Sequence, residues 1–151
     1  MSRPLLLILL WLLPSSALAN NELITVKSAH SGQVTVQRLQ EAFTAKEWAI
    51  LGTIDHAAHA AQFGIKTPFR TTIAFAYMRN WTMHLLQTPT VAIEVPFPVL
   101  VWEDSEGVWV TRNDLRYYMQ HVLLRHHAKG LPFQVDVRTK EVEAAIDSVT
   151  R

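Results

Sequence analysis

The stretch PVLVWEDSEGVWVTR, residues 98–112, decides the fold. It holds two runs rich in β-branched and aromatic side chains, residues 98–104 and 108–112, which is strand composition. Only Ser105, Glu106 and Gly107 separate them, so they pair antiparallel as a hairpin. Asp104 at the first turn position and Gly107 at the fourth suit a type I turn followed by a glycine bulge. That register sets Asp104 opposite Val108 and Trp102 opposite Val110, and sends Trp102 and Trp109 to opposite faces. A two-residue loop would pair the two tryptophans instead.

Upstream of the hairpin, four further runs read as strands: ELITVKSA (22–29), WAILGTI (48–54), FRTTIAFAY (69–77) and TVAIEV (90–95). Between the first two, Ser31 is a natural N-cap. Val36, Leu39 and Phe43 recur at helical spacing, so residues 32–47 read as an amphipathic helix. WTMHLLQ (81–87) is a short helix that Asn80 could cap and Pro89 stops. After the hairpin, Asn113 caps a helix over 114–127, with Leu115, Tyr118, Met119 and Val122 inward. Residues 139–149 form a last helix with Val142, Ala145, Ile146 and Val149 on one face. Consecutive strands near the end of the chain favour an α+β fold. We expect a mainly antiparallel sheet with helices on one face.

The first 19 residues are set aside. Arg3, an apolar run from Leu5 to Leu13 and Ala17-Leu18-Ala19 follow the order of a secretory signal peptide. The run is far shorter than the roughly 20 residues a membrane-spanning helix needs. Cleavage before Asn20, no membrane span afterwards and a periplasmic or secreted address are the expectations. Residues 20–151 then form a single domain. The chain of 151 residues has no cysteine, which excludes disulfides, a thiol nucleophile and covalent c-type haem. Its net charge of +1 gives no general attraction for nucleic acid.

Chemistry-bearing residues concentrate in GTIDHAAHAAQFG, residues 52–64. Asp55 is placed to cap a short helix. Ala57, Ala60, Ala61 and Gly64 share one side, small enough for close packing. His56, His59 and Phe63 share another, and with Asp55 they are the ligand-binding candidates. Two histidines at i, i+3 can begin a transition-metal site, but such a site needs three or four ligands. The rest would come from His84, His121, His126 or His127. Met78, Met83 and His84 offer a second, copper-type grouping. Arg112, Arg116, Arg125 and Lys129 read as a solvated basic helix face. Glu103 and Asp104 are adjacent on a strand and so point to opposite faces. There is no Gly-rich phosphate loop and no Gly-x-Ser-x-Gly elbow, so no reaction and no cofactor is evident.

TIDHAAHAAQFGI and VAIEVPFPVLVWEDSEGVWVTRNDLRYY resemble the bacterial domain-of-unknown-function family 302. Ile54, Asp55, His56, Ala57 and Ala58 match its first motif; Val101, Trp102, Glu103, Asp104, Gly107, Asn113 and Asp114 match later ones. The likeness covers about residues 23–127 and leaves 128–151 as a C-terminal extension. FAYM (75–78) replaces the family's Phe-Gly-Asn-Pro, and VPFP (95–98) its Leu-Pro-Leu. The resemblance implies an α+β fold of the TATA-binding-protein-like type, often dimeric, with no established activity. The functional expectation is a non-catalytic exported module that binds a small ligand or protein partner and forms a homodimer. Val99, Val101, Trp109, Tyr117 and Leu124 are its candidate dimer contacts. The alternative is a metal-binding protein or metal-dependent enzyme using Asp55, His56 and His59.

Overall fold

The computed structural model describes residues 23–117, 121, 123–127 and 135–151. The leader, Tyr118, Met119, Val122 and Lys129 lie outside these, as do the side chains of Met83 and His84. Five strands form one antiparallel sheet: β1 (Leu23–Ser28), β2 (Ala49–Asp55), β3 (Arg70–Ala76), β4 (Phe97–Asp104) and β5 (Gly107–Asn113), in the order β1-β5-β4-β3-β2. The helices are α1 (Gly32–Ala45), α2 (His56–Ala61), α3 (Met78–Gln87), α4 (Leu115–Tyr117) and α5 (Val135–Thr150). The fold is α+β.

Alternation along each strand gives the sheet two unlike faces. Ile73 and Phe75 of β3, Val99 and Val101 of β4, and Val108 and Val110 of β5 are buried on the inner face. Helix α1 lays Leu39 and Phe43 into this layer, and α5 adds Val142, Ala145, Ile146 and Val149. Phe43 stacks on Phe75 with ring centroids 4.3 Å apart, and Trp81 of α3 meets Phe97 edge-on at 5.4 Å. Ser31 caps α1 by accepting from the Val34 N–H. The C-terminal helix also ties down the first loop, where the Ala29 N–H donates to the Thr150 carbonyl at 2.7 Å. It is part of the common core rather than an appendage.

Three expectations are corrected. The run 90–95 is not a strand: Pro89–Glu94 forms a 3₁₀ helix. Its buried residues are Val91 and Glu94, three apart, which is the 3₁₀ repeat and not the period of two a strand requires. The hairpin takes the two-residue loop, pairing Asp104 with Gly107 and Trp102 with Trp109. The side chain of Asp104 decides this, because its Oδ1 accepts from the N–H groups of Glu106 and Gly107 (2.8 and 3.1 Å) and closes the turn. The third concerns the segment after β5. Its described pieces are α4, capped by Asp114 rather than Asn113 through the Arg116 N–H (2.8 Å), and a 3₁₀ helix at Leu123–His126.

The hairpin register moves two residues to the other side of the sheet. Val99 and Val101, expected beside Trp109 as dimer contacts, are 0% exposed in the inner core. A one-residue slip exchanges the faces of a strand, and the shorter loop makes that exchange. The basic cluster is likewise dispersed. Arg112 is buried on the inner face and paired with Glu143 of α5 at 3.0 Å, while Arg125 pairs with Glu94. Burial lowers the pKa of the Arg112 guanidinium, and Glu143 opposes the shift.

Candidate functional site

Strand registers arrange the outer face of the sheet in three rows. The first runs Lys27, Trp109, Trp102, Arg70; the second Thr25, Thr111, Leu100, Thr72, Ile54; the third Leu23, Asn113, Pro98, Ala74, Gly52. None of these fourteen residues is buried. A Cβ built on Gly52 would meet no atom within 4 Å. The helices α1 and α5 spend their apolar stripes on the inner face, so neither covers this one.

Hydrogen bonds within the face hold its aromatic centre. Trp102 donates Nε1–H to Thr111 Oγ1 (2.8 Å), which is 2.9 Å from Thr25 Oγ1. Trp109 donates Nε1–H to Asp104 Oδ1 at 2.9 Å. The two indoles stack with centroids 6.1 Å apart, and Lys27 Nζ lies 5.3 Å from the Trp109 ring. Both indole N–H groups are thus satisfied inside the molecule, and what the face offers outward is apolar ring surface between two cations.

The Trp109 indole bond, with the Glu106 and Gly107 amides and the Lys27 charge, lowers the Asp104 pKa below its ordinary 3.8; desolvation opposes them. The ionised form therefore favours the fold. Its contribution is complete above 3.8 and disappears as pH falls through the lower folded value. In acid, the circular-dichroism band of the stacked indoles should weaken below pH 3.8 in the wild type. In Asp104→Asn that step should be missing. Identical acid profiles would show that Asp104 does not hold the pair.

Helix α2 stands at the β2 edge of this face. Asp55 caps it as the sequence predicts, accepting from the Ala58 N–H at 2.9 Å. Asp55→Ala should cost about 0.5–2 kcal/mol, read as a shift in the thermal or urea midpoint. His56 is brought back over the sheet, its Nε2 hydrogen-bonded to Thr72 Oγ1 at 2.9 Å. His59 is exposed, and Phe63, beyond the helix end, is 79% exposed. The alanine side does not pack as expected. The helix has no buried residue, and Ala57, Ala61 and Gly64 border an open depression with Ile65, Lys66 and Thr67. The reason is position: β2 is an edge strand, and α2 has no second layer beyond it to meet.

His121 and His126 do not join His56 and His59. His121 lies against the Tyr117 ring with centroids 4.6 Å apart, and His126 is hydrogen-bonded to Glu94 at 2.8 Å. Among the described residues no three His, Asp or Glu side chains are grouped to hold a metal ion. Of the remaining dimer candidates, Tyr117 is half-buried and Leu124 is 64% exposed, on a 3₁₀ turn instead of a long helix. Trp102, Leu100 and Thr111 are the face residues that sequence reasoning missed. The signal was present in the two-residue loop, which pairs the tryptophans and aligns those neighbours with them.

The fold and face define an α+β antiparallel-sheet domain with one helix-covered side and one open side. The chain belongs to the family described as Domain of unknown function DUF302, whose model matches residues 24–150. That span includes α5. The crystal structure of an uncharacterized conserved DUF302 protein from Bacillus stearothermophilus is similar in fold, with a TM-score of 0.67 at 12% identity, covering 85% of this chain and 98% of that one. Curated relatives include the Fluoride-specific ion channel FluC 1 of Brucella suis biovar 1, 29% identical over 139 residues, 91% of this chain and 52% of that protein. FluC 1 of Brucella abortus biovar 1 is also 29% identical, over 91% of this chain and 49% of that protein. The chain spans about half the length of the curated relatives it matches.

Proposed function

We propose that this chain is an exported binding module whose working surface is the open sheet face, and that a second copy of the chain occupies that face. The observation that carries this reading is the unburied set Leu23, Ile54, Pro98, Leu100, Trp102 and Trp109 on one side of the sheet. An antiparallel sheet can leave one face to water, but such a face is ordinarily polar. Contiguous apolar patches on monomers are rare and mark contact sites. The aromatic pair is of the residue type that dominates the energy of protein interfaces.

The curated relatives are channels about twice the length of this chain. No described helix is long and apolar enough to cross a membrane. The half of the Brucella channels that this chain resembles is then read as a part that accompanies the channel. Export rests on the leader-like N-terminus. Protein recovered from its own cells should have the intact mass of a chain beginning at Asn20. Light scattering over a concentration series tests the assembly: a dimer is expected, and a monomer at the highest concentration rejects it.

A further inference from the structure

The two 3₁₀ segments bring His126 onto Thr90 and Glu94, more than thirty positions away in sequence. His126 Nε2 is 2.8 Å from Glu94 Oε1, and His126 Nδ1 is 3.1 Å from Thr90 Oγ1. Glu94 is buried, and it also accepts from the Arg125 guanidinium. Thr90 is exposed. An open depression borders the trio, lined by Pro89, Thr90, Ile93, Arg125, His126 and His127.

We propose that Thr90, His126 and Glu94 form an acyl-transfer centre acting on small carboxylic esters. Glu94, nearer to His126 Nε2 at 2.8 Å than the Arg125 Nε at 3.5 Å, favours the proton on Nε2, which leaves Nδ1 as the acceptor facing the Thr90 hydroxyl. This is the order nucleophile, base, orienting acid that defines a hydrolytic triad irrespective of fold. Arg125 pairs with Glu94 and borders the depression with positive charge. Ile93, 79% exposed, gives the acyl chain an apolar wall.

The step balances without any outside reagent other than water. Thr90 Oγ bonds to the ester carbonyl carbon as its proton passes to His126 Nδ1. The carbon–alkoxide bond breaks, and the leaving alcohol takes that proton. Water, deprotonated by the same nitrogen, then attacks the acyl-Thr90 ester, releasing the carboxylic acid and restoring the hydroxyl. This activity lies outside the sheet face and does not depend on dimerisation.

The test uses the intact protein with p-nitrophenyl acetate, followed by a fluorophosphonate probe mapped by mass spectrometry. In the probe reaction Thr90 Oγ bonds to phosphorus and fluoride leaves. Thr90→Ala should lower hydrolysis about a hundredfold or more, the scale of a positioned base and nucleophile, and should abolish labelling. Thr90→Ser should retain both. His126→Gln should match Thr90→Ala; because it also disturbs Glu94, its fold is checked by circular dichroism, and Thr90→Ser remains the deciding variant. Equal hydrolysis by wild type and Thr90→Ala, or a label on another residue, overturns the proposal.

Discussion

Trp109→Glu is expected to abolish the proposed dimer, weakening self-association about a hundredfold or more. Trp109 lies in the first of the three rows of the open face, stacked on Trp102 and flanked by Lys27. A carboxylate there would stand opposite Lys27, yet it would still have to leave water on association, a cost of several kcal/mol per ion, and each 1.4 kcal/mol is about tenfold in affinity. The same change sets a second negative charge beside Asp104, which now accepts from the Trp109 indole, so some loss of hairpin stability accompanies it. Leu100→Glu, in the neighbouring row, avoids that contact and serves as the control. Sedimentation equilibrium on both variants reads the effect. Unchanged dimerisation in both would remove the sheet face from the interface.

The second large effect belongs to the inner face. Phe43→Ala should destabilise the fold by about 3–5 kcal/mol, the usual range for deleting a fully buried aromatic ring. Phe43 is 0% exposed, stacks on Phe75 and meets Trp48 at 6.5 Å. Its loss would leave a gap between α1 and the sheet that neither ring can fill without leaving its present packing. Domains of this size have total stabilities of about 5–15 kcal/mol, so the change removes a large share. Urea unfolding should show a lower midpoint with an unchanged slope. A loss under about 1 kcal/mol would mean that α1 is not anchored through this ring.

The sequence made the helix faces legible because burial repeats there over several turns. Leu39 and Phe43 in α1, and Val142, Ala145, Ile146 and Val149 in α5, are all buried as their spacing predicts. Asp55 was legible as a cap because capping is local. The hairpin register was not, since Asp-Ser-Glu-Gly suits both a bulged turn and a two-residue loop, and the two differ in every side-chain direction beyond it. Residues 90–95 misled for a related reason. A short apolar run cannot separate strand from tight helix by composition, although the prolines at 89 and 96 and the spacing of Val91 and Glu94 favour the helix.

The candidate sites depended on pairings that no local pattern encodes. His56 could be placed on α2 from sequence, but its bond to Thr72 exists because β2 and β3 set Ile54 opposite Thr72. Thr90, Glu94 and His126 meet only because two 3₁₀ segments pack together. FAYM, which lacks the Gly and Pro of the family pattern, and VPFP, which replaces its Leu-Pro-Leu, lie at the ends of the connection that carries Thr90 and Glu94.

Oxidative footprinting of the tryptophans at increasing protein concentration tests the open face most directly. Trp48 and Trp81 are buried in the core and serve as internal references. If a second copy covers the face, labelling of Trp102 and Trp109 should fall several-fold as the dimer forms, while Trp48 and Trp81 stay protected throughout. Equal labelling of Trp102 and Trp109 at all concentrations would contradict the proposal that a second copy docks on this face.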